Sequence, residues 1–383
     1  MDVDLDVKAE SFRAELRAWL GAHFTAEVAE RVDGPGTASL TARRGWNAEL
    51  VDAGYGAVSW PVEHGGRAAG ISEQIVWYEE MARAGAPGPV NVIGVANIAP
   101  AIMAHGTEAQ QRRFLRPMLR GEEIWSQGMS EPDAGSDLAA LRCTAVLDGD
   151  DYIVTGQKTW NSLGAEADWC QLFVRTDTDV PKHQGITCLL VDLSSPGIEA
   201  RPIRTMAGEV GFAELFFDGA RVPRSAVLGE VDGGWRIATA TLSNERAGVA
   251  GLYLGVRNTF DRLVDAVPGG GLGGGVARDA LAARFTEARN LEFLAKRMLG
   301  AALAGRPPGA EGSAVKLAWA QCGQDLAVTA LDVLGPAALG GPWAESVSSS
   351  RALSIAGGTT EVNKNIIGER VLGLPREPAP QPD

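Results

Sequence analysis

The chain has 383 residues, 45% of them hydrophobic and 22% charged, which suits a globular protein with room for two or three packed units. Its 48 acidic residues outnumber 35 basic ones, and the formal charge of −13 repels nucleic acid and anionic membrane, so neither is expected as a partner. An anionic ligand would need local basic groups or backbone N–H groups to overcome that field. The four cysteines (Cys143, Cys170, Cys188, Cys322) and four histidines (His23, His64, His105, His183) show no metal-ligand spacing, so reduced thiols and no metal are expected. The opening Met-Asp-Val-Asp-Leu-Asp is acidic where an export signal is basic, and no apolar run nears the ~20 residues of a membrane helix. A cytoplasmic protein is expected.

In chain order, Phe12, Leu16, Trp19 and Leu20 fall at helical spacing, and a second helical stretch runs from about Leu40 to Asp52 before Gly54. Further helices are predicted around Ile71–Arg83, Val90–Ala104 and Glu108–Leu119. From about residue 121 the period changes. Cys143 to Val154 alternates around Asp148-Gly149-Asp150-Asp151, a hairpin signal. Leu172–Arg175, Ile186–Asp192, Ile198–Ile203 and Ala213–Phe217 are short strand-like runs. From Gly233 the helical period returns, in 235–266, 276–303, 313–334 and a stretch after 344. The Gly-rich run 268–275 reads as a flexible connection and the Pro-rich tail after Leu374 as a frayed end. Three regions follow: 1–120 helical, 121–232 a small antiparallel β unit, and 233–383 helical.

Four features carry chemistry. Ser130-Glu-Pro-Asp-Ala-Gly135-Ser136-Asp137 offers glycine and hydroxyls, and reads either as a plain loop or as a cradle of donors for an anionic group. Gly156-Gln-Lys-Thr-Trp160-Asn161-Ser162, beyond the hairpin, puts a tryptophan beside a hydroxyl. That suits a flat aromatic ligand with a polar edge, or a core position. In Ala356-Gly357-Gly358-Thr359-Thr360-Glu361, glycines permit close backbone approach to a ligand. Thr359 or Thr360 also reads as a helix cap that Glu361 completes, and a capped helix start is itself an anion site. Finally, Ala238, Leu242, Val249, Leu252 and Val256 form one apolar stripe after Gly234, and Glu245 falls on it. A carboxylate there is either a desolvated general base or the partner of an arginine such as Arg246.

Taken together, these motifs make the chain resemble the acyl-CoA dehydrogenase family along nearly its whole length. The resemblance implies an N-terminal α-helical domain, a middle small antiparallel β-barrel or sandwich domain and a C-terminal α-helical bundle. It implies FAD as cofactor and oxidation of an acyl-CoA substrate to a trans-2-enoyl-CoA. On that basis Ser130 bonds the flavin pyrimidine edge, Ser162 lies near N5 and Trp160 packs on the isoalloxazine, with Gln127, Met129, Gly135 and Asn161 around them. Ser136 lies near the diphosphate or the CoA chain, and Gly358, Thr359 and Glu361 on the adenosine side. Many members have their catalytic glutamate where this chain has Gly357. Isovaleryl-CoA and long-chain acyl-CoA dehydrogenases carry theirs in a Glu-Arg pair on the helix that here holds Glu245-Arg246. The resemblance therefore makes Glu245 the base that removes the α-proton while the β-hydride passes to flavin N5. Arg246 then lies on the substrate, and the Gly357 amide donates to the thioester carbonyl. Electrons would leave to an electron-transfer flavoprotein.

Two family elements are altered. The Arg-x-x-Phe-Gly string that reaches a neighbouring subunit's flavin has only Arg257-Asn-Thr-Phe260-Asp as a counterpart, and the Gln-x-x-Gly-Gly element becomes Asp332-Val-Leu-Gly335-Pro, with Gly340-Gly341 displaced. The pattern is similar to one subunit of the actinobacterial heteromeric dehydrogenases, which oxidise bulky acyl-CoA chains such as sterol side-chain fragments. A heterotetramer with a second acyl-CoA dehydrogenase-like chain, or a homo-oligomer, is expected. Two other functions compete. One is a non-catalytic or half-site partner subunit, against which Glu245 and an intact Ser130, Trp160 and Ser162 set argue. The other is a flavin oxidase or monooxygenase on the same fold, which oxygen consumption would separate from a dehydrogenase.

Overall fold

The computed structural model describes residues 6–33, 36–248, 251–267, 275–306 and 309–376, without the side chains of 36–38 and 242–248. The glycine-rich run 268–274 and residues 377–383 of the tail lie outside the described residues. The chain packs as two compact units, one of them Val7–Glu245 and the other containing Arg246–Asp383.

The first unit opens with helices α1 (Val7–His23), α2 (Ala26–Asp33), α3 (Gly36–Asp52), α4 (Ile71–Ala84), α5 (Ala99–His105) and α6 (Glu108–Arg120). Among them only α2 was not expected. It has a single buried residue, Val32, and so no apolar stripe to read. The start of α6 is fixed by a reciprocal cap: Gln110 N–H donates to Thr107 Oγ1 at 3.2 Å, and Thr107 N–H donates to Gln110 Oε1 at 3.0 Å. Gly121, with φ of 69°, ends it.

Eight strands follow: β1 (Trp125–Gly128), β2 (Thr144–Asp148), β3 (Asp151–Ser162), β4 (Trp169–Arg175), β5 (Ile186–Asp192), β6 (Ile198–Ile203), β7 (Phe212–Pro223) and β8 (Val227–Leu228). The sheet order is β6-β7-β3-β2-β4-β5-β8, and β1 lies parallel to β4. The β2–β3 hairpin turns through Gly149 and Asp150 with Asp148 opposite Asp151, as its sequence signals. In β4 and β5 both faces are covered. Phe173, Ile186, Cys188 and Leu190 pack with Ile98, Ile102, Phe114 and Met118 of the helical layer. Leu172, Val174, Leu189 and Val191 pack with Tyr152, Val154, Leu215 and Phe217 of the sheet. This is why Cys188–Val191 is an unbroken apolar run and does not alternate. The four cysteines are buried free thiols, and burial pushes Cys143 up to about 11 and Cys170 to about 12.

Helix α7 (Gly234–Gly248) starts where β5 fixes it. Asp232 N–H donates to Thr187 Oγ1 at 2.8 Å, and Gly233 bridges Ile186. A Cβ at Gly234 would come within 2.8 Å of the Ile186 carbonyl oxygen, so the close approach requires glycine. The second unit is a helical bundle of α8 (Leu252–Ala266), α9 (Gly275–Leu303), α10 (Gly312–Leu334), α11 (Gly341–Ser350) and α12 (Thr360–Ile366), with Val256, Phe260, Leu263, Leu291, Val315 and Leu326 in its core. The architecture is thus helical domain, β domain, helical bundle.

One ion cluster ties α1 to α4. Glu80, 1% exposed, accepts hydrogen bonds from Arg17 Nη2 at 2.7 Å, Arg83 Nε at 3.0 Å and Arg13 Nη1 at 3.1 Å. Burial alone would raise its pKa, but the bonds from Arg17, Arg83 and Arg13 outweigh that and pull it from 4.5 to about 2. A carboxylate depressed in the folded state contributes stability that is present above pH 4.5 and lost as pH falls through about 2. Glu80→Gln should therefore lower unfolding free energy at pH 7 by about 2–4 kcal/mol, because three guanidinium groups lose a buried counter-charge. Urea titrations should show the gap to wild type closing between pH 4.5 and 2.

Candidate active site

The site is built around an irregularity in β3. Tyr152, Val154 and Lys158 share the inward parity of that strand, yet Thr159 is buried as well. Two consecutive inward residues break the alternation, and the β3–β7 ladder shifts register between Lys158, opposite Leu215, and Asn161, opposite Ala213. Trp160 sits in this bulge with φ of 60°, a rare conformation for a bulky residue that its surroundings must hold in place. It is 59% exposed, and its ring meets that of Phe212 in a T-shaped arrangement with centroids 5.9 Å apart. Trp160 is thus held outward and is not a core residue.

The segment from Ser126 to Glu131 lies against the bulge. Ser126 Oγ donates to Ser162 O at 2.9 Å, Asn161 Nδ2 to Gln127 O at 2.9 Å, and Thr159 N–H to Ser130 O at 2.9 Å. Gln127 Nε2 donates to Gln171 Oε1 at 2.8 Å, and Met129 packs on the helical core. Asn161 is fully buried and spends its amide on Gln127. The hydroxyls of Ser130 and Ser162 are half-buried and have no hydrogen-bond partner among the described residues. A flat exposed ring flanked by two uncommitted hydroxyls suits a planar heteroaromatic ligand with polar edges.

Beyond Ser130 the chain makes a tight turn, with Glu131 and Ala134 exchanging backbone hydrogen bonds of 3.0 and 3.1 Å. Gly135 and Ser136 lie exposed on it. Arg175 Nη2 holds the next stretch by donating to Ala139 O at 2.6 Å, and Lys182 pairs with Asp137 at 2.6 Å. The buried pair Lys158–Glu131 was not among the residues read from the sequence. A lysine on the inward parity of a strand was the signal that could have found it, since such a charge needs a partner.

The structure thus brings Gln127, Met129, Ser130, Trp160, Asn161 and Ser162 together. Glu245 lies on α7, one turn past buried Thr241 and two past buried Ala238. The side chains of Glu245 and Arg246 are outside the described residues.

The C-terminal motif belongs to the second unit. Gly357 and Gly358 have φ of 65° and 91°, both left-handed, and their N–H groups donate no hydrogen bond among the described residues. Thr359 caps α12, its Oγ1 accepting Val362 N–H at 3.2 Å, so Thr360 is not the cap. Glu361 is the second helical residue, one short of the reciprocal position, and stands exposed, so it does not complete a capping box. Two buried side chains fasten the turn. Lys316 Nζ donates to Leu353 O at 2.7 Å and Gly358 O at 3.0 Å, while Asn363 Nδ2 donates to Gly358 O at 2.9 Å and Thr359 O at 3.0 Å.

A separate cleft of about 630 Å³ runs along α6 and contains none of these residues, and its Arg112 and Arg120 are already paired with Glu108 and Asp52. Among the described residues no three His, Cys, Asp or Glu side chains cluster as a metal site, and no helix is long and apolar enough to cross a membrane.

Family models for the N-terminal, middle and C-terminal domains of acyl-CoA dehydrogenase match residues 7–122, 126–220 and 232–372 in turn. Acyl-CoA dehydrogenase IpdE1 of Mycobacterium tuberculosis is 39% identical over 381 residues, covering 96% of this chain and 98% of that protein. Among solved structures, the Tcur3481-Tcur3483 steroid ACAD superposes with a TM-score of 0.87 at 30% identity, over 98% of this chain and 100% of that one. The ChsE4-ChsE5 complex from Mycobacterium tuberculosis gives a TM-score of 0.81 at 32% identity over 98% of this chain and 100% of that one. The chain is therefore a member of the acyl-CoA dehydrogenase family, FAD-dependent oxidoreductases that act on a CH–CH bond of an acyl thioester.

Proposed function

We propose that the chain catalyses α,β-dehydrogenation of a bulky, steroid-derived acyl-CoA, with Glu245 as base and in a heteromer with a second acyl-CoA dehydrogenase-like chain. The observation that carries the flavin half of this reading is the outward, backbone-strained Trp160 between the uncommitted hydroxyls of Ser130 and Ser162. That set fits FAD: Trp160 would pack on the ring, the two hydroxyls would meet its polar edge, and exposed Gly135 and Ser136 would lie further along. When bound, FAD supplies the acceptor for the substrate's hydride.

The chain's own residues do the rest. Glu245 takes the α-proton onto its carboxylate. The Gly357 N–H donates to the thioester carbonyl oxygen as negative charge develops there, and its uncommitted state supports this role. Arg246 and Ser136 orient the CoA ester, and Gly358, Thr359 and Glu361 take the adenosine side of the cofactor. The bulky substrate and the second chain are supported by similarity over 98% of this chain to a steroid enzyme built from two named subunits. The altered Asp332-Val-Leu-Gly335-Pro element agrees with such a partner. An electron-transfer flavoprotein would be the electron acceptor.

The protein purified alone and together with its genomic neighbour should be compared by visible spectrum, then mixed without oxygen with acyl-CoA thioesters of increasing bulk. Flavin should bleach fastest with the steroid-derived ester, and a short straight-chain ester bleaching fastest would sink the substrate assignment. Glu245→Gln should keep its flavin while bleaching falls about 10²- to 10⁴-fold, the usual contribution of a positioned base. A variant that bleaches at the wild-type rate would remove Glu245 from the mechanism.

A further inference from the structure

Lys158 is wholly buried, and its ammonium reaches two groups on the segment that faces it: Met129 O at 3.1 Å and Glu131 Oε1 at 2.8 Å. Glu131 is buried as well, and its carboxylate also accepts Arg142 N–H at 2.6 Å and Cys143 N–H at 2.9 Å. A buried ion pair is a poor source of net stability, since an apolar pair of equal volume serves as well. Its position gives it another use. β1 takes its backbone ladder from β4, so no ladder sets the register between the Ser130 segment and β3. That register is set by isolated contacts, and three consecutive residues, Met129, Ser130 and Glu131, are each tied to Lys158 or Thr159. Trp160, next in line, must keep its unfavourable φ while standing out in solvent.

We propose that Lys158, through Glu131, is the positioning residue of the flavin surface. It locks the Ser130 hydroxyl and the Trp160 ring into one rigid frame that presents both to the same ligand. The inference rests on the reading that this surface holds FAD, and it goes further by naming what sets the surface's geometry. Lys158 touches neither ring nor substrate. Its effect is felt through backbone register, where a misplacement of an ångström is costly.

The test is Lys158→Met, which keeps length and burial but removes the charge, in the full chain together with its partner subunit where the wild type needs one. Apoprotein is titrated with FAD, and thermal melting of the apoprotein is recorded beside it. Val154→Ala, a core change in the same strand, serves as the control for destabilisation alone. The dissociation constant for FAD should rise about tenfold or more in Lys158→Met, with the bound flavin spectrum moved toward that of free flavin. In Val154→Ala melting should fall while the dissociation constant stays within about twofold. Equal loss of affinity in the two variants, or wild-type affinity and spectrum in Lys158→Met, would overturn the positioning role. Should Lys158→Met fail to fold, Glu131→Gln, which keeps shape and most hydrogen bonds, is read by the same two outcomes. Trp160→Ala separates the levels. If it leaves FAD binding untouched, the surface itself is misassigned. If it weakens binding while Lys158→Met does not, the surface stands and Lys158 is merely structural.

Discussion

The double burial of β4 and β5 is the constraint on which the first unit depends. Because both faces of these strands are covered, they belong equally to the helical layer and to the β layer, and neither can shift without disturbing two cores. Both parts of the site in that unit are referenced to them. β1 pairs in parallel with β4, Trp125 opposite Trp169 through Gly128 opposite Leu172, and so delivers Met129 and Ser130 to a fixed place. α7 is fastened to β5 through Asp232, Gly233 and Gly234, which fixes the helix on which Glu245 lies. The proposed flavin surface and the helix that carries the proposed base thus share one reference.

Much of this was legible in the sequence, and the reasons differ by element. The hairpin at Gly149 and the start of α6 announce themselves through local chemistry, a two-residue turn and a capping box, which need no tertiary context. Helix α2 and strands β1 and β8 were not legible, since α2 buries one residue and β8 has two in all. Trp160 shows the limit most clearly. Composition and spacing favour a core position for a tryptophan, and what turns this one outward is the bulge, where both Lys158 and Thr159 are buried. Lys158 itself was passed over because a lysine in a motif reads as solvent-exposed until a buried partner is seen. The side chain of Glu245 lies outside the described residues, so its assignment rests on helical register and family resemblance.

The net charge of −13 gives the C-terminal turn its meaning. A CoA thioester and a dinucleotide are both anions, and an acidic protein must meet them with local donors. Beside the Ser136 turn, Lys182 is paired with Asp137. In the C-terminal turn the N–H groups of Gly357 and Gly358 donate no hydrogen bond among the described residues, and so offer two local donors in succession. Two adjacent glycines would ordinarily be loose, which would waste them as donors, since orientation gives an N–H its value in catalysis. Here the looseness is removed from beneath. Lys316 and Asn363 converge on the Gly358 carbonyl, Asn363 holds the next carbonyl as well, and Thr359 closes the first turn of α12. A side chain at Gly358 would approach the Asn363 amide to 3.1 Å at a φ of 91°, so the clamp and the glycine require each other. Glycine supplies the left-handed backbone and the open approach, and the buried lysine and asparagine supply the rigidity that glycine lacks.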